Sequence, residues 1–131
     1  MLRVRTSLGK SSIHGIGLFA AEDIKKGTVT WEFDSEFDPA YSDDQISRMP
    51  APAQEIFWHY AYFDKELGKF VLCADDQRFI NHTNGNTNIQ SSTRRDVASQ
   101  DIKKGEELLC NYEGFENGYF NRRKLDTSKF I

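Results

Sequence analysis

A seven-residue pattern occurs twice in this chain, and it sets the kind of fold available. Ala21-Glu22-Asp23-Ile24-Lys25-Lys26-Gly27 returns as Ser99-Gln100-Asp101-Ile102-Lys103-Lys104-Gly105. In each copy a polar turn closes on a glycine, the residue that takes positive φ without steric cost. A short extended segment follows each, Thr28 to Phe33 after the first and Glu106 to Cys110 after the second. So short a unit does not build a solenoid. It predicts two similar strand-turn-strand elements.

Other segments carry the same extended signal. Leu2 to Thr6 alternates, and Ile16 to Ala21 is a mostly apolar run. His59 to Phe63 and Lys69 to Cys73 flank Asp64-Lys65-Glu66-Leu67-Gly68, which reads as a hairpin with a bulged loop. Residues 42–58 are the exception. Ser42 followed by Gln45 has capping-box spacing, so a short helix starts there and Pro50 and Pro52 end it. Ala53 to Trp58 offers a second helical turn. Many short strands around a small helical insert predict a mostly β, α+β fold.

The 131 residues fit one domain, which at this size buries about two-thirds of its unfolded surface. No linker or low-complexity segment interrupts it. Seventeen basic residues against twenty acidic leave a net charge of −3. That balance disfavours a surface built for phosphate backbones and suits a cationic ligand such as a lysine-bearing peptide. Cys73 and Cys110 allow at most one disulfide and cannot make a four-thiolate zinc site. Two reduced thiols on strands are expected. The N-terminal residues have no secretory apolar stretch behind them, and no run approaches the roughly 20 residues of a membrane span. The expected setting is intracellular, cytoplasmic or nuclear, with neither nucleic acid nor membrane as a direct partner.

Three short motifs remain. Gly15-Ile16-Gly17 enters the Leu18-Phe19-Ala20 strand, either as a plain bend or as a place where backbone approaches a ligand; it lacks the third glycine of a dinucleotide fingerprint. Asn81-His82 ends Arg78-Phe79-Ile80, as a turn cap beside a core histidine or as a polar pair reading a ligand. Gly105-Glu106-Glu107-Leu108-Leu109-Cys110-Asn111-Tyr112 ends on a tyrosine that is either core or catalytic. Glu106 and Glu107 are read as local turn partners rather than general bases.

In this order, over about residues 3–113, the three motifs resemble the SET domain, the fold of most protein-lysine methyltransferases. The resemblance implies small curved sheets of β-clip type, a variable insert at about residues 38–58, a C-terminal strand threaded beneath a loop as a pseudoknot, and a tail over 114–131. It further implies S-adenosylmethionine as cofactor, with Gly15, Ile16, Gly17, Asn81, His82 and Tyr112 binding it. Tyr112 becomes the catalytic residue. Phe115, with Tyr60, Tyr62 and Phe79 behind it, becomes the lysine channel. The substrate is then a lysine in a protein or peptide.

Methyl transfer from a sulfonium to an amine needs in-line placement, water exclusion and a neutral amine. A free lysine, with a pKa near 10.4, must first lose a proton, and an aromatic channel lowers that value by desolvation. The segment Thr83 to Asn88 departs from the family pattern, which often carries a zinc-binding cysteine there; none stands here, and none follows Cys110. No zinc-bound element is expected, and Asn88 is read as a supporting residue. Tyr119, Phe120 and Phe130 would have to close the channel by apolar contact, or serve a homodimer. A catalytically weak SET-like module that binds a protein partner is the alternative.

Overall fold

The computed structural model describes residues 1–116. β1 (Thr6–Lys10) and β2 (Ile16–Ala20) come first, then β3 (Val29–Glu32) and β4 (Ala40–Tyr41). The insert holds α1 (Asp43–Ser47) and α2 (Ala51–Tyr60) and returns through β5 (Tyr62–Asp64) and β6 (Lys69–Val71). A 3-10 turn over Asp76–Phe79 precedes β7 (Asn81–His82), β8 (Ile89–Ser91), β9 (Arg95–Ala98) and β10 (Leu109–Cys110); a second 3-10 turn spans Tyr112–Gly114.

These strands pair into four small sheets, β1-β2, β4-β6-β5, β3-β9-β8 and β7-β10, the last of them parallel. The mostly β, α+β expectation holds. The segment 106–110 is held on both sides. Ala20 N–H donates to Glu106 O at 2.9 Å and Leu108 N–H to Leu18 O at 2.7 Å. From the other side Thr83 N–H reaches Cys110 O at 3.0 Å and Asn88 N–H reaches Leu109 O at 3.1 Å. Residues 83–88 therefore loop across β10. Asn88 fastens that crossing, its amide donating to Glu107 O at 2.8 Å and accepting from Leu109 N–H at 2.9 Å.

Burial follows the sheets. Leu18, Ile24, Ile89, Ile102, Leu108 and Cys110 are 0–3% exposed and form the main core. The insert has its own cluster around Ile46, Phe57 and Phe70, and Trp31, Tyr62, Val71 and Cys73 form a third. Both cysteines are free and buried.

Local chemistry explains the insert. Ser42 caps α1 in a full capping box: Gln45 N–H donates to Ser42 Oγ at 3.2 Å and Ser42 N–H to Gln45 Oε1 at 2.8 Å. Pro52 does not end a helix. It sits in the first turn of α2, where the missing N–H has no intrahelical partner to lose. The helix runs through His59 and Tyr60, which the aromatic run had assigned to a strand, because Phe57 is drawn into the insert core. The hairpin loop 65–68 closes as expected, with Gly68 at φ 64 and Asp64 Oδ1 accepting from the Glu66 and Leu67 amides. The first strand starts at Thr6 rather than Leu2; Leu2 donates its N–H to Asp75 Oδ2 at 2.7 Å and only bridges Trp31.

Candidate functional site

The 3-10 turn Asp76–Phe79 opens on Asp75, whose Oδ1 accepts from Gln77 N–H, and ends at the extended Ile80. This delivers Asn81 and His82 in extended backbone beside β10, with both residues buried. Asn81 Nδ2 faces three acceptors: His14 O at 2.9 Å, Glu107 Oε1 at 3.1 Å and Ile16 O at 3.2 Å. Its Oδ1 therefore points the other way.

His82 is committed at both ring nitrogens. Nδ1 accepts from Tyr112 N–H at 3.1 Å, which places the ring proton on Nε2, 2.9 Å from Asn84 Oδ1. Burial lowers its pKa below the ordinary 6.5, opposed by the Asn84 bond and the Glu113 charge. Both ring nitrogens are thus engaged within the chain. The ring holds the Tyr112 backbone, with centroids 5.1 Å apart.

Tyr112 begins the second 3-10 turn, capped by Asn111. Its hydroxyl donates to Ile80 O at 2.5 Å. Since that proton is spent on the carbonyl, the oxygen keeps its lone pairs for other neighbours. Phe115 packs 5.3 Å from the Tyr112 ring and 5.5 Å from the Tyr62 ring. Tyr60 and Phe79 pair edge-on at 5.5 Å. Tyr62 donates to Thr93 O at 2.8 Å, and burial above all pushes its phenol up, keeping it neutral.

One cavity of about 380 Å³ brings most of the expected residues together. Gly15, Ile16, Asn81 and Tyr112 line it, and so do the four aromatics Tyr60, Tyr62, Phe79 and Phe115. Gly17 and His82 are not among its lining residues. Tyr119, Phe120 and Phe130 lie outside the described residues.

The two glycines of the first motif have different reasons to be glycine. Gly15 has φ 49, and a Cβ there would meet nothing within 4 Å. A Cβ on Gly17 would lie 2.2 Å from Glu107 Oε1. The close approach that requires Gly17 is thus made by a carboxylate of the chain itself, not across the cavity. Glu107 is no local turn partner, since it reaches Asn81 across the sheet boundary. Alternation along 106–110 was the signal available for this: Glu107 points away from the face that buries Leu108.

Asp96 was also overlooked. It lies mid-strand in β9, opposite Trp31 and Ser91, and lines the cavity at 4% exposure. Gln77 Nε2 donates to its Oδ2 at 2.7 Å. Burial raises its pKa to about 7, only partly offset by hydrogen bonds such as Gln77's. Asp96 and the buried Ala98 share one strand face, a period-2 clue that a charge would be inside. Among the described residues no group of three or more His, Cys, Asp or Glu side chains is arranged to hold a metal ion, and no helix is long and apolar enough to cross a membrane.

Comparison with known proteins gives a consistent result. The family model described as SET domain matches residues 15–113. Chains of polycomb repressive complex 2 are similar in structure. An apo, autoinhibited ctPRC2 chain is 30% identical with a TM-score of 0.66, over 91% of this chain and 16% of that one. The autoinhibited ctPRC2 bound to S-adenosylmethionine is 29% identical with a TM-score of 0.64, over 91% and 16%. A humanized mutant of the Chaetomium thermophilum complex gives 29% and 0.62, over 90% and 16%. This chain thus spans about one-sixth of the length of these structural neighbours. No curated protein sequence matches it.

Proposed function

The chain belongs to the SET-domain family, and from that premise we propose that it transfers a methyl group from S-adenosylmethionine to a lysine side chain of a protein substrate. The observation that carries the reading is the single cavity shared by Asn81, Tyr112 and four aromatic rings. Its volume of about 380 Å³ falls in the range of small-molecule sites. The donor set suits the cofactor. Asn81 Oδ1 takes no hydrogen bond from the described residues and accepts an ammonium, while Gly15, in the same cavity lining, carries no side chain to fill it.

When bound, the cofactor supplies an electrophilic methyl group on a sulfonium. The chain's own residues do the rest. The aromatic walls strip water from an entering ammonium and lower its pKa, so that it loses a proton and presents a nitrogen lone pair. Tyr112 Oη, held by Ile80 O, accepts from the amine N–H and so limits its orientation. His82 keeps the Tyr112 backbone in register through Nδ1. Protein partners fit a domain whose structural neighbours come from a multi-subunit complex; the target lysine and any second copy of this chain belong to the same proposal.

Two measurements test it together. Calorimetric titration with S-adenosylhomocysteine should give saturable binding, and mass spectrometry of a lysine-peptide array should find peptides heavier by a methyl group. A Tyr112→Phe variant should keep homocysteine-product binding within about threefold and lose about 10² in turnover. Cofactor binding with no methylated peptide, in wild type as in the variant, would favour the weak binding module instead.

A further inference from the structure

Asn81 and Glu107 make an arrangement that the family reading does not use. We propose that Glu107 is a positioning residue for cofactor binding: its carboxylate fixes the amide of Asn81 so that Oδ1 faces the cavity as acceptor for the amino-acid ammonium of the cofactor. This rests on the methyl-transfer reading above.

Three observations carry it. First, an Asn amide has two faces of opposite polarity, and only its surroundings decide which one a ligand meets. Second, Asn81 Nδ2 sits among His14 O, Ile16 O and Glu107 Oε1, three acceptors for two N–H groups. Reversing the amide would set Oδ1 against all three. Of these the carboxylate makes the charge-assisted and therefore strongest bond. Third, the fold clears a space for that carboxylate. Glu107 bridges Phe19 on β2, and its Oε1 lies where a side chain on Gly17 would begin. A glycine at 17 is required by the same carboxylate that accepts from the Asn81 amide.

The consequence is electrostatic as well as steric. The carboxylate polarises the Asn81 amide through its N–H and makes Oδ1 a better acceptor for a cation. Glu107→Gln keeps the shape but presents either an oxygen or an NH2 to Asn81, so the amide loses its imposed direction. His14 and Ile16, which line the cavity, are tied to the same amide only through carbonyls and cannot replace the missing charge.

The test compares two probes on one protein: S-adenosylhomocysteine and its analogue lacking the α-amino group, titrated calorimetrically into wild type and Glu107→Gln. Wild type should prefer the amine-bearing probe. Glu107→Gln should bind that probe about tenfold or more weakly, as expected for loss of a charge-assisted bond, while binding of the deaminated analogue changes less than about twofold. A purely structural role would weaken both probes alike, and equal losses would overturn the proposal while leaving the methyl-transfer reading intact. Absence of any binding by wild type would overturn both. Should Glu107→Gln not fold, a wild-type co-crystal with S-adenosylhomocysteine decides: the amine should lie on the side of the Asn81 amide opposite Glu107. An amine elsewhere, or a Glu107 turned away from Asn81, sinks the idea.

Discussion

Ile24 and Ile102 exchange both of their backbone hydrogen bonds, each amide reaching the other's carbonyl at 2.8 Å. The two copies of the repeated sequence pattern thus meet face to face. Asp101 Oδ1 accepts from Lys26 N–H at 2.8 Å, and Asp23 Oδ1 accepts from Lys104 N–H at 2.9 Å. Gly27 N–H goes to Ala98 O and Gly105 N–H to Ala20 O, each at 2.8 Å, with φ at 87 and 92. A local two-fold relation follows, which no short repeat read along the chain would disclose. Its consequence reaches the site: the clasp lays 106–110 beside β2, and so brings Glu107 over Gly17.

Both isoleucines are core residues at 1–3% exposure, so truncation should be costly. Ile24→Ala and Ile102→Ala should each lose about 2–5 kcal/mol in urea unfolding. Because the two side chains belong to one cluster, the double variant should depart from the sum by about 0.5–3 kcal/mol. Strict additivity would show that the clasp is two independent turns.

Much of this fold was legible because local chemistry and tertiary packing agree. The Ser42 capping box and the Asp64–Gly68 hairpin loop need only near neighbours, and the two Asp-Ile-Lys-Lys-Gly turns, though they also clasp each other, form where the sequence puts them. His59 and Tyr60 are helical despite their aromatic run because aromatic β preference is a statement about packing, and here α2 packs against Phe70 of β6 through Phe57 and Trp58. For the site, the motif residues Asn81 and Tyr112 lie at one cavity with the aromatics, but the roles of Glu107 and Asp96 depend on partners far along the chain. Glu107 meets Gly17 and Asn81, and Asp96 meets Gln77. Such pairings are properties of strand neighbours, and a single sequence carries no register.

Gly17→Ala should destabilise the domain by about 1–3 kcal/mol, since the new Cβ overlaps the Glu107 carboxylate. Adding Glu107→Ala removes the overlapping group. Thermal melts of the four-member cycle should therefore show the double variant more stable than Gly17→Ala alone. If the second substitution made matters worse, Ser11 Cβ, 3.1 Å away, would be the real obstruction.

Asp96 makes stability depend on pH in a direction opposite to that of a salt-bridged carboxylate. Its folded-state pKa of about 7 stands above the ordinary 3.8. Between those values the folded chain keeps a proton that the unfolded chain has released. Stability is therefore lost as pH rises through that window and levels off above it. Asp96→Asn has no charge to desolvate and still offers Gln77 an acceptor. At about pH 8 it should be more stable than wild type by on the order of 1–3 kcal/mol, with the difference gone near about pH 4. Equal urea midpoints at both pH values would mean that the carboxylate is not desolvated as its burial implies.

His82 gives the opposite limb. Its folded pKa lies below 6.5, so between that value and 6.5 the unfolded chain binds the proton and the folded chain does not. The contribution is complete above the unfolded value and is lost as pH falls through the folded one. A proton on Nδ1 would also set two N–H donors against each other at Tyr112, so acid should loosen the Tyr112–Gly114 turn before the core. An NMR titration of the His82 ring should give a midpoint below 6.5, with Tyr112 amide exchange accelerating in step. His82→Phe keeps an aromatic ring against Tyr112 but leaves its N–H without this acceptor, at about 1–3 kcal/mol. That variant should lose the acid-dependent step in Tyr112 exchange. A midpoint at or above the ordinary histidine value, or a Tyr112 amide indifferent to it, would separate the imidazole from the control of the phenol.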